Sequence, residues 1–206
     1  MQEERMIFVI DMINGFVKEG VLADPTILKI VPTIKEIINE KKGVLVEVLD
    51  CHNKDSIEFK SFPTHCLKGT KESETCDELQ DILKDSYKFY KNSTSALFSK
   101  GLIELILKKQ PKEIIITGCC TDICIMNFAI PLKNLFNELG LDITITVYKE
   151  AVDTYDNPNH QREYYNEIAH LLMQQAGINV KSWNKEKEDQ ENNKGYMRKK
   201  VLNYGK

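Results

Sequence analysis

The chain has 206 residues, with 28 basic and 31 acidic side chains and a formal charge of −3. That length fits one α/β domain able to bury a full core without disulfides or a structural metal. The near-neutral balance argues against nucleic acid or an anionic membrane as the main partner.

No apolar run approaches the roughly 20 residues that span a bilayer. The opening MQEERMIFVIDMINGF is acidic at its front and has no small-residue cleavage site, so a cytoplasmic protein is expected. Strand-like apolar runs fall at Met6–Asp11, Gly43–Leu49, Tyr87–Tyr90, Glu113–Gly118 and Asp142–Tyr148. Helical spacing falls at Thr26–Lys41, Gly101–Lys109, Thr121–Leu139 and Asn159–Gln175. The first, second and fourth strands are nearly continuous apolar runs, as in strands covered on both faces. The alternation predicts a three-layer αβα sandwich around a mostly parallel sheet. Ligands in such sheets bind outside the carboxyl ends of the strands. Asp11, Asp50, Lys91 and Gly118–Cys124 all lie at such ends.

The connection Cys51–Leu79 shows little periodicity and is rich in His, Asp, Glu and Cys, which favours a functional loop. The domain is expected over residues 1–183. Residues 184–206 read as a charged, solvated and partly disordered extension. Six cysteines in a chain with no export signal are expected as thiols.

Three of them, Cys119, Cys120 and Cys124, end a strand and open a helix. A thiol in the first turn of a helix feels the positive end of the macrodipole, which lowers its pKa. Free backbone N–H groups there can receive an oxyanion. The same cysteines could equally be small buried hydrophobes, and Thr121 or Asp122 a helix cap. Asp11 could be a general base beside a thiol or a turn residue. Lys91 could hold a thiolate and a carboxylate charged, or be solvated.

A second constellation follows the strand VEVL. Asp50 and His52, two apart, can reach a shared ion from an extended segment, and a following loop can add ligands such as Glu58 and His65. His with carboxylates suits zinc, manganese or iron. Cys51, Asp55 and Cys66 compete for the same role. A polar surface loop with two unrelated histidines is the plain alternative.

VIDMINGF, FYKNSTSAL and ITGCCTDICI, in that order, resemble the three signature segments of the isochorismatase-like cysteine hydrolases. The resemblance covers about Met6 to Ala176. It implies Asp11, Lys91 and Cys124 as the catalytic set and a cis peptide between Cys119 and Cys120. It also implies an oxyanion hole from the backbone N–H groups of Cys120 and Cys124. Two cysteines stand where the family usually has small or β-branched residues, which leaves Cys120 as a rival thiol.

Within that superfamily, the quartet Asp50, His52, Glu58 and His65 resembles the metal ligands of nicotinamidases, and metal-free relatives lack it. The resemblance implies one divalent ion, zinc before manganese or iron, with Phe16 and Phe62 as aromatic walls. The implied substrate is nicotinamide, hydrolysed to nicotinate and ammonia in NAD salvage through a thioester. Another small amide is the runner-up, and a non-catalytic metal-binding regulator the reading from a different class. A homo-oligomer is compatible with all three.

Overall fold

The computed structural model describes residues 4–192. Six strands form one sheet in the order β3-β2-β1-β4-β5-β6, and every neighbouring pair is parallel. They are β1 (Arg5–Ile10), β2 (Val44–Asp50), β3 (Tyr87–Lys91), β4 (Glu113–Cys119), β5 (Thr144–Asp153) and β6 (Asn179–Lys181).

Successive side chains of a strand point to opposite faces, so a buried strand feeds two cores. In β1, Met6, Phe8 and Ile10 enter one core while Ile7 and Val9 enter the other. The first core is closed by helices α4 (Leu102–Lys109), α5 (Met126–Glu138) and α6 (Arg162–Gln175). The second is closed by α2 (Val31–Lys41) and α3 (Asp77–Leu83), with Trp183 at its edge. A single helical turn, α1 (Asn14–Val17), follows β1. This is the expected three-layer sandwich.

The local differences from the sequence reading have local causes. The first helix does not run from Thr26: a 3-10 turn covers Pro25–Ile30 and α2 begins at Val31. Pro32 cannot donate a backbone hydrogen bond, so it fits the first turn of a helix rather than its interior. The connection after β2 holds short 3-10 turns at Ile57–Lys60 and Lys71–Ser73 before α3, whose seven residues are too few for a periodic signal. β5 runs on to Asp153, and its pairing slips, so that Ile116 faces Val147 but Gly118 faces Val152. β6 has three residues and no visible alternation.

Residues 183–192 are helical, and the later part of the charged extension lies outside the described residues. The Trp183 indole donates to Glu36 on α2 at 2.9 Å, and Tyr148 donates to Glu186 at 3.0 Å. All six cysteines are free thiols. Among the described residues no helix is long and apolar enough to cross a membrane.

Gly118 is required by contact as well as by conformation. Its φ is +114°, and a Cβ there would stand 2.0 Å from the Ile10 carbonyl oxygen. Gly118→Ala should cost about 3 kcal/mol or more in urea unfolding. Gly140→Ala, also at positive φ but with open space around it, should cost only about 1–2 kcal/mol.

His170 on α6 is buried, its Nε2 has no partner, and burial, reinforced by the Lys149 charge, pushes its pKa down to about 4. The unfolded chain therefore binds the proton more tightly. The contribution of neutral His170 is complete above about pH 6.5 and is lost as pH falls toward 4, at most about 2–3 kcal/mol. His170→Gln should flatten that part of the stability–pH curve.

Candidate active site

The strand register assembles the site. Asp50 pairs with Lys91 across β2 and β3, and Ile10 pairs with both Val48 and Gly118. Four strand ends thus meet on one rim. Asp11, the residue after β1, has a left-handed backbone (φ 54°), a conformation Asp tolerates better than most residues. Its N–H donates to the Val48 carbonyl, and its Oδ1 accepts from the Asp50 N–H at 2.8 Å. The Cys119 thiol donates to the Asp11 carbonyl from behind.

The Lys91 Nζ lies 2.9 Å from Asp11 Oδ2, 3.1 Å from Asp50 Oδ1 and 3.7 Å from Cys124 Sγ. Cys124 is near enough to Asp11 to favour its charged form. Burial pushes the Asp11 carboxyl up to about 6, with the Lys91 ammonium opposing and the Asp50 charge adding. Burial would raise Asp50 too, but the Lys91 ammonium above all holds that carboxyl well below the usual range. Burial pulls Lys91 down, yet the surrounding negative charges prevail and keep it protonated.

Cys124 departs from the expected lowered pKa. It does not sit in a regular α-helical first turn but in a π-helical turn, Thr121–Ile125, that precedes α5. Burial pushes its thiol well above the ordinary value, and Lys91 offsets this only in part. Cys124 therefore rests as a thiol with a carboxylate beside it. The Cys119–Cys120 peptide is cis. Cys120 is half-buried and shares the cavity wall with Cys124.

Two further residues hold these segments together. Pro131 in α5 cannot donate to the Asn127 carbonyl one turn back. The Ser95 hydroxyl donates there instead, at 2.7 Å, tying the segment after Lys91 to the helix behind Cys124. A proline in a helical pattern with a serine-rich strand end was the available signal, but nothing in the sequence pairs the two.

Asp50, His52, Glu58 and His65 each offer one ligand atom, and these atoms all lie within 4.8 Å of one another. The loop returns because the His52 N–H donates to the Cys66 carbonyl and the Lys68 N–H to the His52 carbonyl. His52 Nδ1 lies 2.8 Å from Asn92 Oδ1, and His65 Nδ1 lies 2.7 Å from the Pro63 carbonyl oxygen. Both contacts place the proton on Nδ1 and leave the Nε2 lone pair free, as in histidines that bind metal.

Those two Nε2 atoms face Asp50 Oδ2 at 3.0 and 3.2 Å, and the His52 Nε2 is buried without a hydrogen bond. Lone pairs crowded against a carboxylate are unfavourable unless a cation lies among them. The donor set fits a divalent ion of the zinc, manganese or iron type. Asp55 is exposed and outside the cluster, and Cys51 and Cys66 do not join it. Asn92 was missed in the sequence, although it directly follows Lys91 at the strand end. Phe59 was missed too, and its ring lies 5.2 Å from that of His52 and 5.6 Å from that of His65.

A cavity of about 650 Å³ opens over both groups, walled by Phe16, Phe62, His65, Glu58, Cys120 and Cys124 among others. Phe16 and Phe62 stand 5.7 and 6.3 Å from the His65 ring, on the metal-ligand side. Asp11 and Lys91 lie behind the wall and reach Cys124 from beneath.

The chain belongs to the isochorismatase domain family, whose model matches residues 5–182. It is 28% identical over 175 residues to nicotinamidase 1 of Arabidopsis thaliana, an alignment covering 75% of this chain and 71% of that protein. Its fold is similar to a pyrazinamidase of Pyrococcus horikoshii in complex with zinc (TM-score 0.69, 23% identity, 87% of this chain and 99% of the other). It is also similar to the N-carbamoylsarcosine amidase of Thermoplasma acidophilum (TM-score 0.70, 24% identity, 87% and 96%).

If the quartet holds an ion, about one equivalent should stay with the purified protein through desalting. Glu58→Ala should lose most of that metal by elemental analysis, whereas Asp55→Ala should keep it. Equal retention in both variants would remove Glu58 from the ligand set.

Proposed function

We propose that this chain is a metal-dependent cysteine amidohydrolase that converts nicotinamide to nicotinate and ammonia, a step of NAD salvage. The observation that carries the reading is the sharing of one carboxylate: Asp50 touches Lys91 with one oxygen and the two histidines with the other. In this reading the thiol and the ligand quartet, joined through that residue, act on one bound molecule. The 28% identity to a protein named nicotinamidase supports the substrate, and the zinc-complexed structural relative supports zinc as the ion.

In this scheme Asp11 takes the proton from Cys124 as sulfur attacks the carboxamide carbon. The backbone N–H groups of Cys120 and Cys124 receive the oxyanion. Asp11 then returns the proton to the leaving nitrogen, which departs as ammonia and leaves a thioester. Asp11 next takes a proton from water as its oxygen attacks the thioester. Collapse releases nicotinate and restores the thiol.

Lys91 keeps the Asp11 and Asp50 carboxylates charged and stabilises the sulfur anion when the thiol gives up its proton. Phe16 and Phe62 flank the pyridine ring. A divalent ion held by Asp50, His52, Glu58 and His65 would supply a Lewis acid for the ring nitrogen and so fix the orientation of the carboxamide.

A cavity of about 650 Å³ is roomier than one pyridine carboxamide requires, which makes a bulkier small amide the second reading. Ammonia release from nicotinamide and pyrazinamide, with and without chelator, separates the two. Turnover of nicotinamide that is lost with the metal is expected, and full activity of metal-free protein would defeat the ion's role.

Cys124→Ala should abolish turnover with the fold intact, while Cys120→Ala should keep much of it. A thiol-reactive substrate analogue found by mass spectrometry on Cys120 and not on Cys124 would reverse the assignment. Asp11→Asn should lose at least about 10⁴ in rate, because one carboxylate serves both half-reactions.

A further inference from the structure

A second charged pair lies beside the nucleophile turn and takes no part in the scheme above. Asp122 stands between Cys120 and Cys124, and its Oδ2 lies 2.8 Å from Nε2 of His160. The other ring nitrogen, Nδ1, lies 3.1 Å from the Tyr155 carbonyl oxygen. A carboxylate and a carbonyl are both acceptors only. Unlike His52 and His65, His160 belongs to no cluster of metal-ligand atoms among the described residues, so its two acceptors ask for two N–H donors, and a neutral imidazole has one.

The ring's faces agree with that count. Tyr155 stacks on one face, with centroids 3.9 Å apart at 12°, and Tyr165 of α6 on the other, 3.7 Å apart at 19°. Aromatic faces carry negative quadrupole density and attract a cation. Asp122 Oδ1 is buried and has no hydrogen-bond partner, so the ionised carboxylate depends on His160 for compensation.

The backbone reinforces the arrangement. The His160 and Asn157 N–H groups each donate to the other's carbonyl, closing a short turn in the connection between β5 and α6. Tyr155 and Asn157 of that connection line the same cavity as Cys120, Ile123 and Cys124. The pair thus joins the cavity's far wall to the turn that bears the thiol.

We propose that His160 is a protonated clamp, an imidazolium held between two tyrosines, that fixes Asp122 and thereby positions the turn Thr121–Ile125. It is a positioning residue and touches no substrate. The protonation state stands on geometry alone. Only the effect on rate rests on the reading of Cys124 as nucleophile.

Nitrogen-15 NMR of the full chain at pH 7, with the His160 signals assigned by their loss in His160→Gln, tests the charge. Two protonated ring nitrogens are expected, and a neutral tautomer with one bare nitrogen would overturn the proposal. In kinetics, His160→Gln keeps a neutral donor. It should lower kcat about tenfold with KM changed by less than about twofold, the difference between an ion pair and a hydrogen bond from a neutral donor to the same carboxylate.

Asp122→Asn combined with His160→Gln should be no slower than the single His160→Gln, because the two residues act as one unit. An unchanged kcat in His160→Gln, or losses that add in the double variant, would overturn the positioning role. Should the intact chain fail to hydrolyse nicotinamide, the functional reading falls. The rate of Cys124 alkylation by iodoacetamide then carries the same comparison, with the same tenfold loss expected.

Discussion

An ammonium removed from water sets the terms for the rest of the site. Lys91 is almost wholly buried, and a lone buried cation would cost several kcal/mol even after relaxation. It is tolerated because two carboxylates stand within 3.1 Å of its nitrogen. Those carboxylates tolerate their own burial for the same reason. Removing Lys91 leaves both carboxylates uncompensated, so the cluster depends on that one ammonium. One positive charge does not cancel two negative ones. Burial first, with the Asp50 charge adding to it, raises the Asp11 carboxyl to about 6 against the pull of Lys91, which gives the proposed base a higher affinity for a proton.

Asp50, by contrast, is held ionised beside the same lysine. Its first oxygen belongs to the lysine, while its second faces two imidazole nitrogens that carry lone pairs. That side of the carboxylate is suited to a cation of higher charge. One strand-end residue therefore divides a thiol-centred region from a metal-binding region and keeps the two at a fixed spacing. In the proposed reaction the spacing matters because a small ring bound at one end would present its carboxamide at the other. Asn92 and the Pro63 carbonyl complete the arrangement by fixing which nitrogen of each histidine is free.

Around this centre the chain uses irregular backbone where function needs it and regular backbone elsewhere. Asp11 has positive φ and the turn that bears Cys124 is π-helical, whereas β1, β2 and β4 beneath are nearly continuous apolar runs buried on both faces. The irregular pieces are tied down individually. Ser95 satisfies the carbonyl that Pro131 abandons, the His52–Cys66 hydrogen bond draws the metal loop back, and His160 grips Asp122. Each tie joins segments 14 or more residues apart, so the site behaves as a knot of separate segments on a rigid sheet.

The sequence by itself determined the sheet, the helices that cover it and the chemistry placed at the strand ends. Burial on both faces leaves a continuous apolar signature, and the residue that follows such a run must sit on the rim. Asp11 and Asp50 were legible for that reason, Lys91 and Cys124 through the resemblance of their segments to the family signatures, and the His and Glu of the long loop stood out by their type. Tertiary structure decided the rest. Strand order and register put Asp50 beside Lys91, and no local pattern encodes which strand end neighbours which. The thiol's resting state also came from the fold, since the helix start favours a thiolate and burial overrides it. The pairs Ser95–Asn127 and His160–Asp122 were invisible because each joins distant segments through a single hydrogen bond, and a hydrogen bond leaves no periodic trace in the chain.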